Sequence, residues 1–229
     1  MAIEDGAVRR LIGPIVSGIG DVAVQYASTA SEAVARARAF RPHLVMGEVE
    51  FAGPGGESSS LVKAIRSDPA LFRLAILAVS QNDDLPHRYA AFADGADDYV
   101  SWPFDALELQ FRIKALLRRA CWNDAPDAVE VGDLRIDEAR CVAVRGGREI
   151  ALTPSEFAIL RYLMRHAGRR ISVEMLLTEA LSYPSKTGDP QIIYTHVKNL
   201  RVKLGRDSQP APIHSSRHGY LLIPSDGDP

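Results

Sequence analysis

Apolar and polar positions in the stretch DPQIIYTHVKNLRVKL, from Asp189 to Leu204, recur at helical period. Ile192, Ile193, Val197, Leu200 and Leu204 share one flank, while Gln191, Tyr194, Thr195, Lys198, Arg201 and Lys203 point away from it. An amphipathic helix capped by Asp189 is predicted here. Earlier in the chain, β-rich runs at 22–27, 44–49, 74–80 and 98–100 alternate with helical runs at 31–40, 61–67, 86–94 and 104–120. That alternation predicts a parallel sheet covered by helices on both faces, with ligand chemistry at the carboxyl ends of the strands.

Residues 121–128, CWNDAPDA, lose periodicity and contain Pro126, which predicts a short linker between domains at 1–120 and 129–229. So short a linker tethers the domains closely. Residues 129–153 then read as short strands with turns at Gly132–Asp133, Glu138–Ala139 and Gly146–Gly147. A helix follows, with Thr153 as cap, Pro154 at its first position, Glu156 three residues after the cap and Gly168 ending it. A second helix at 173–181, a loop at 182–188, the Asp189 helix and a hairpin at 213–223 complete the chain. Strands, three helices and a closing hairpin make an α+β winged helix-turn-helix.

A composition 46% hydrophobic and 24% charged is that of a globular protein, and 229 residues allow two domains with separate cores. Two cysteines, Cys121 and Cys141, argue against a disulfide scaffold or a cysteine-rich zinc site. No apolar run reaches membrane-spanning length and no secretory signal is evident, so a cytoplasmic location without membrane attachment is expected. The net charge of −2 does not favour nucleic acid. Between Ser182 and Gly219, however, six basic residues face two acidic ones, which is local positive charge around the amphipathic helix. His43, His87, His166, His196, His214 and His218 lack metal-ligand spacing, and no phosphate-binding glycine loop or nucleophile elbow is present. Neither catalysis, a metal nor a cofactor is expected.

The segment GADDYVSWPFDALELQFRIKALLRR, from Gly95 to Arg119, closely resembles the last strand and helix of a response-regulator receiver domain, a flavodoxin-like doubly wound fold. RPHLVMGEVEFAGPGG, from Arg41 to Gly56, resembles the segment that carries the phosphoacceptor aspartate. The resemblance assigns Glu4 and Asp5 to the metal-binding acid pair, Glu48 to the phosphoacceptor, Ser80 and Tyr99 to the switch pair and Trp102 to the charge-neutralising lysine. Two of these depart from the chemistry. Glu48 carries its carboxylate about 1.5 Å from where in-line transfer needs it. Trp102 offers no cation to offset phosphoryl charge, and its bulk would tend to fill the pocket. A degenerate receiver that is not switched by phosphorylation is expected. Glu48 then stands either as a weak, permanent imitation of phosphoaspartate or as a tolerated surface carboxylate. Only residues 1–3 precede the acid pair, so the first strand is short or the metal site malformed.

LTPSEFAIL, THVKNLRVKL and HGYLLI resemble the winged-helix effector of OmpR/PhoB-type response regulators, and with the receiver the resemblance covers nearly the whole chain. It implies a homodimer with ion pairs Arg88 with Glu108, Asp97 with Arg112 and Asp98 with Arg119 across a two-fold axis. It also implies DNA contacts from Gln191, Tyr194, Thr195, His196, Lys198, Arg201 and Lys203, with Arg217 in the wing. The loop at 182–188 is implied to meet RNA polymerase, while a sensor kinase partner is in doubt. A sequence-specific transcription regulator acting without phosphate is the leading expectation. A conventional phosphorylated regulator, or a receiver pocket turned to a small molecule or partner protein, are the alternatives.

Overall fold

The computed structural model describes residues 1–3, 6–20, 22–52, 58–81, 84–120, 129–138, 140, 142–205, 210–217 and 219–224. The chain divides into two compact units, Met1–Ala120 and Cys121–Pro229. The expected linker at 121–128, both cysteines, Ala139, His218 and the acid pair Glu4 and Asp5 lie outside the described residues.

The first unit runs α1 (Gly6–Ser17), α2 (Ala30–Phe40), β1 (Leu44–Glu48), β2 (Glu50–Ala52), β3 (Ser58–Ser60), α3 (Leu61–Arg66), β4 (Ala75–Ser80), α4 (Leu85–Ala93), β5 (Asp98–Ser101) and α5 (Ala106–Ala120). β4 lies between β1 and β5, and all three are parallel. Side chains alternate across this sheet. Met46, Ala75, Leu77 and Val79 join Val8, Ile12 and Val16 of α1 and Leu109, Ile113 and Leu116 of α5 in one cluster. On the other face Gly47 lies under Leu61 of α3. A Cβ at residue 47 would stand 2.5 Å from both the Ala2 carbonyl and Leu61 Cδ2, so only glycine allows that approach.

The doubly wound parallel sheet agrees with the sequence pattern, but its first two strands do not develop. Ala2 makes isolated parallel bridges to Gly47 and Ala27. Its amide donates to the Met46 carbonyl and its carbonyl accepts from the Glu48 amide, at 2.8 and 2.9 Å. The strand expected at 22–27 therefore has one rung. Among the described residues its intended partner offers Ala2 alone, and Val22, Val24 and Tyr26 are exposed despite their β-type alternation. The structure adds α1, whose stripe Val8, Ile12, Val16 was legible at i, i+4 spacing but is interrupted by Gly13 and Pro14. It also adds the antiparallel β2–β3 pair after the Glu48 position.

Two buried ion pairs fix the β4–β5 edge. Asp97, fully buried, accepts from Arg66 at 2.8 Å and from the Ile76 amide at 3.0 Å, and Arg66 also donates to the Phe72, Leu74 and Gly95 carbonyls. Asp98, also fully buried, pairs with Arg112 of α5 at 2.8 Å, and Arg112 reaches Glu108 at 2.7 Å.

The second unit begins with an antiparallel meander, β6 (Val129–Val131), β7 (Leu134–Asp137), β8 (Val142–Arg145) and β9 (Arg148–Ala151). α6 (Pro154–Arg165) opens with the expected capping box, in which the Thr153 hydroxyl accepts from the Glu156 amide and the Glu156 carboxylate from the Thr153 amide. β10 (Arg170–Ser172) leads to α7 (Val173–Met175), which continues as a π-helical turn, Leu176–Ala180, where a single regular helix was predicted. α8 (Pro190–Leu204) and the hairpin β11 (Ile213–Ser216) and β12 (Gly219–Leu222) follow, with β12 between β10 and β11. Gly219 has φ +153°, and any Cβ there would strike the Ile171 carbonyl on β10. A winged helix-turn-helix results.

Arg66 joins Asp97 to three main-chain carbonyls, and its removal tests that role. Arg66→Met leaves Asp97 buried without its guanidinium and should cost about 3–5 kcal/mol, read as a lowered denaturant midpoint for unfolding of the full chain.

Candidate nucleic-acid interface and receiver pocket

Asp189 caps α8 by accepting from the Gln191 amide at 2.9 Å, and Pro190 at the first helical position loses no hydrogen bond by lacking an N–H. Ile192, Ile193, Val197, Leu200 and Leu204 are buried, as the pattern predicts. The far end of the helix is held from the meander. Arg145, fully buried on β8, donates to the Leu204 carbonyl at 2.7 Å and the Pro210 carbonyl at 3.0 Å while pairing with Asp133. Arg148 on β9 donates to the carbonyls of Lys203 and Gly205 at 2.8 and 3.1 Å. Two cations thus meet carbonyls at the negative end of the helix dipole.

The outward stripe of α8 is narrower than the sequence predicts. Tyr194, Lys198 and Val202 are exposed and Gln191 is half-buried. Thr195 is instead buried, with its hydroxyl donating to the Gln191 carbonyl at 3.0 Å inside the same helix. His196 is 1% exposed and faces the core. Arg201 spans from α8 to the wing, donating to the Ile213 carbonyl and Ser215 Oγ, both at 2.9 Å, with its guanidinium 5.6 Å from the Tyr220 ring centroid. Lys203 pairs with Glu156 at 2.5 Å. Arg217 at the wing turn is exposed. Of the eight expected DNA residues, the structure brings Gln191, Tyr194, Lys198 and Arg217 to the surface and commits Thr195, His196, Arg201 and Lys203 to internal contacts. Helical period alone could not separate the two sets, because a hydroxyl or a long cation can point outward and still be consumed by a neighbouring element.

In the receiver unit, Glu48, Ser80 and Ser101 end adjacent strands in register, Glu48 beside Val79 and Ser80 beside Ser101. The Trp102 amide donates to the Ser80 carbonyl at 2.7 Å, and its indole meets Phe104 edge-on with centroids 4.9 Å apart. Tyr99 is buried, 6.5 Å from the Phe92 ring and under the Arg88 guanidinium at 5.6 Å. Of the three carboxylates that would hold Mg²⁺ in a receiver, only Glu48 is among the described residues. Among those residues no three His, Cys, Asp or Glu side chains converge to hold an ion.

Several of the charges expected to pair across a dimer have partners within the chain. Asp97 is paired with Arg66, and Asp98 with Arg112. Arg119 is itself buried, donating to the Ala115 carbonyl at 3.1 Å, and Glu108 is joined to Arg112 in the same helix.

Residues 147–222 match the family model described as transcriptional regulatory protein, C terminal. The transcriptional regulatory protein TcrX of Mycobacterium tuberculosis, described as probable, is 31% identical over 222 residues, covering 93% of this chain and 92% of that one. The KDP operon transcriptional regulatory protein KdpE of Escherichia coli is 31% identical over 205 residues, covering 89% and 88%. Among solved structures, a mutant of RitR superposes with a TM-score of 0.71 over 98% of both chains at 20% identity, a likeness of fold. Among the described residues no helix is long and apolar enough to cross a membrane. A parallel receiver sheet, a winged helix with an outward polar stripe and regulatory relatives matched over about nine-tenths of both chains together place this chain in the OmpR/PhoB family of DNA-binding response regulators.

Proposed function

We propose that the chain regulates transcription by binding DNA sequence-specifically as a dimer on tandem half-sites, and that it does so without aspartyl phosphorylation. The observation that carries this reading is the pairing of Glu48 and Trp102 at the strand ends. The position that would accept phosphate holds a longer carboxylate, and the position that would neutralise it holds an indole seated against Phe104. Tyr99, buried beneath Arg88, supports a receiver held in one state. Leu85 and Tyr89 on α4 and Leu107 on α5, each more than two-fifths exposed, leave apolar surface for self-association in place of the expected ion pairs. RNA polymerase is the partner proposed for the loop at 182–188, and the cytoplasm the compartment. A sensor kinase has no role in this reading.

The test is retention of randomly sheared genomic DNA by untreated full-length protein at physiological salt, followed by sequencing. A recurring site enriched on the order of a thousandfold over bulk DNA is expected. Adding acetyl phosphate with Mg²⁺ should change neither the retention nor yield an acyl phosphate on the protein. Recovery only after phosphodonor treatment would overturn phosphate independence and favour a conventional regulator. Recovery of nothing under either condition would favour a receiver pocket serving a small molecule or protein partner.

On the recovered site, Lys198→Ala should weaken target and random DNA alike and reduce the salt dependence of log K by about one unit. Tyr194→Ala should instead narrow the gap between target and random DNA in competition binding, because a groove-facing phenol contributes to reading rather than to charge.

A further inference from the structure

The cations of the effector unit fall into two groups. Between 129 and 165 every one is engaged: Arg135, Arg140, Arg161 and Arg165 in ion pairs, Arg145 and Arg148 also on helix carbonyls. Beyond residue 165 only part of the set is engaged among the described residues, Arg201 with the wing and Lys203 with Glu156. Arg169, Arg170, Lys198 and Arg217 are exposed and have no ion pair among the described residues.

The three-stranded sheet arranges part of this second group. Its register sets Ile171, Tyr220 and Ser215 in one row, and these with Ile213 and Leu222 form the inner face, joined to α8 by Arg201. The alternate rows form the outer face. Ser172, Gly219 and Ser216 lie next to the wing turn, and Arg170, Leu221 and His214 lie two residues further back. At about 3.3 Å per residue that is about 7 Å from the turn row. Neither row contains an acid, and Arg170 and His214 are both exposed.

We propose that this outer face is a second DNA-backbone contact, centred on Arg170 with His214, gripping the phosphate strand on the side of the wing away from α8. The inference rests on the DNA-binding reading above. A minor groove is only about 6 Å wide, so a hairpin entering it has a phosphate strand on each side. The inner side is bordered by the recognition helix. The outer side needs donors of its own, and an arginine one cross-strand row back from the turn row, leaning along its strand, supplies them. Charge complementarity and continuity with Arg217 at the turn identify the occupant as DNA backbone, which carries no sequence information.

The experiment measures binding of the full chain to the recovered site, as a single half-site and as the tandem pair, across a salt series with hydroxyl-radical footprinting. Arg170→Ala should lower the slope of log K against log salt by about one unit on target and random DNA equally. It should also shorten protection by a few nucleotides on the wing side, without shifting the thermal midpoint. Arg170→Lys should restore the slope. An unchanged slope and footprint would overturn the proposal while leaving DNA binding by α8 intact. A loss confined to cooperativity on the tandem pair would overturn it in favour of contact with a second copy. Absence of any DNA binding by the unaltered protein would remove both this inference and the reading it rests on.

Discussion

A single buried guanidinium ties the effector domain together. Arg145 has no solvent contact, so its charge is tolerable only because Asp133 and two main-chain carbonyls surround it. One of those carbonyls ends the recognition helix and the other belongs to the chain leading into the wing. The meander, the helix and the entry to the hairpin therefore share one polar centre. Arg148 and Arg201 extend the same logic outward, the first on the last turn of α8 and the second from α8 to β11. A recognition helix held at its cap by Asp189 and at its far end by two arginines presents its outward side chains from a fixed frame, which is what base reading requires.

The receiver depends on the same kind of device. Asp97 and Asp98 lie side by side in sequence at the start of β5 and point to different partners, Arg66 on α3 and Arg112 on α5, so consecutive residues bind elements on opposite faces of the sheet. Alternation along a strand makes that arrangement possible. It also joins both helices to the strand through groups that have no contact with solvent.

Much of this was legible in the sequence. The βα rhythm, the capping box at Thr153 and the buried flank of α8 follow from local periodicity and local hydrogen bonding. The misses share a cause, because each depends on a partner distant in sequence. Residues 22–27 have the alternation of a strand, yet among the described residues the neighbour they would pair with offers only Ala2. Lys203 has the chemistry of a DNA contact, yet Glu156, 47 residues away, already holds it. Asp97 matches an interface position, yet Arg66, 31 residues away, claims it. Helix α1 was obscured differently, by a glycine and a proline that interrupt the stripe of Val8, Ile12 and Val16.

The narrow outward stripe of α8 bears on how such a protein holds its site. With Arg201 and Lys203 committed internally, Lys198 is the cation that the exposed stripe retains, beside an amide and a phenol. Counterion release, which holds a protein on any duplex regardless of sequence, draws little from this surface. What the α8 stripe offers a duplex is therefore mostly hydrogen-bonding and contact surface rather than charge, so the hold on backbone falls to cations outside this helix.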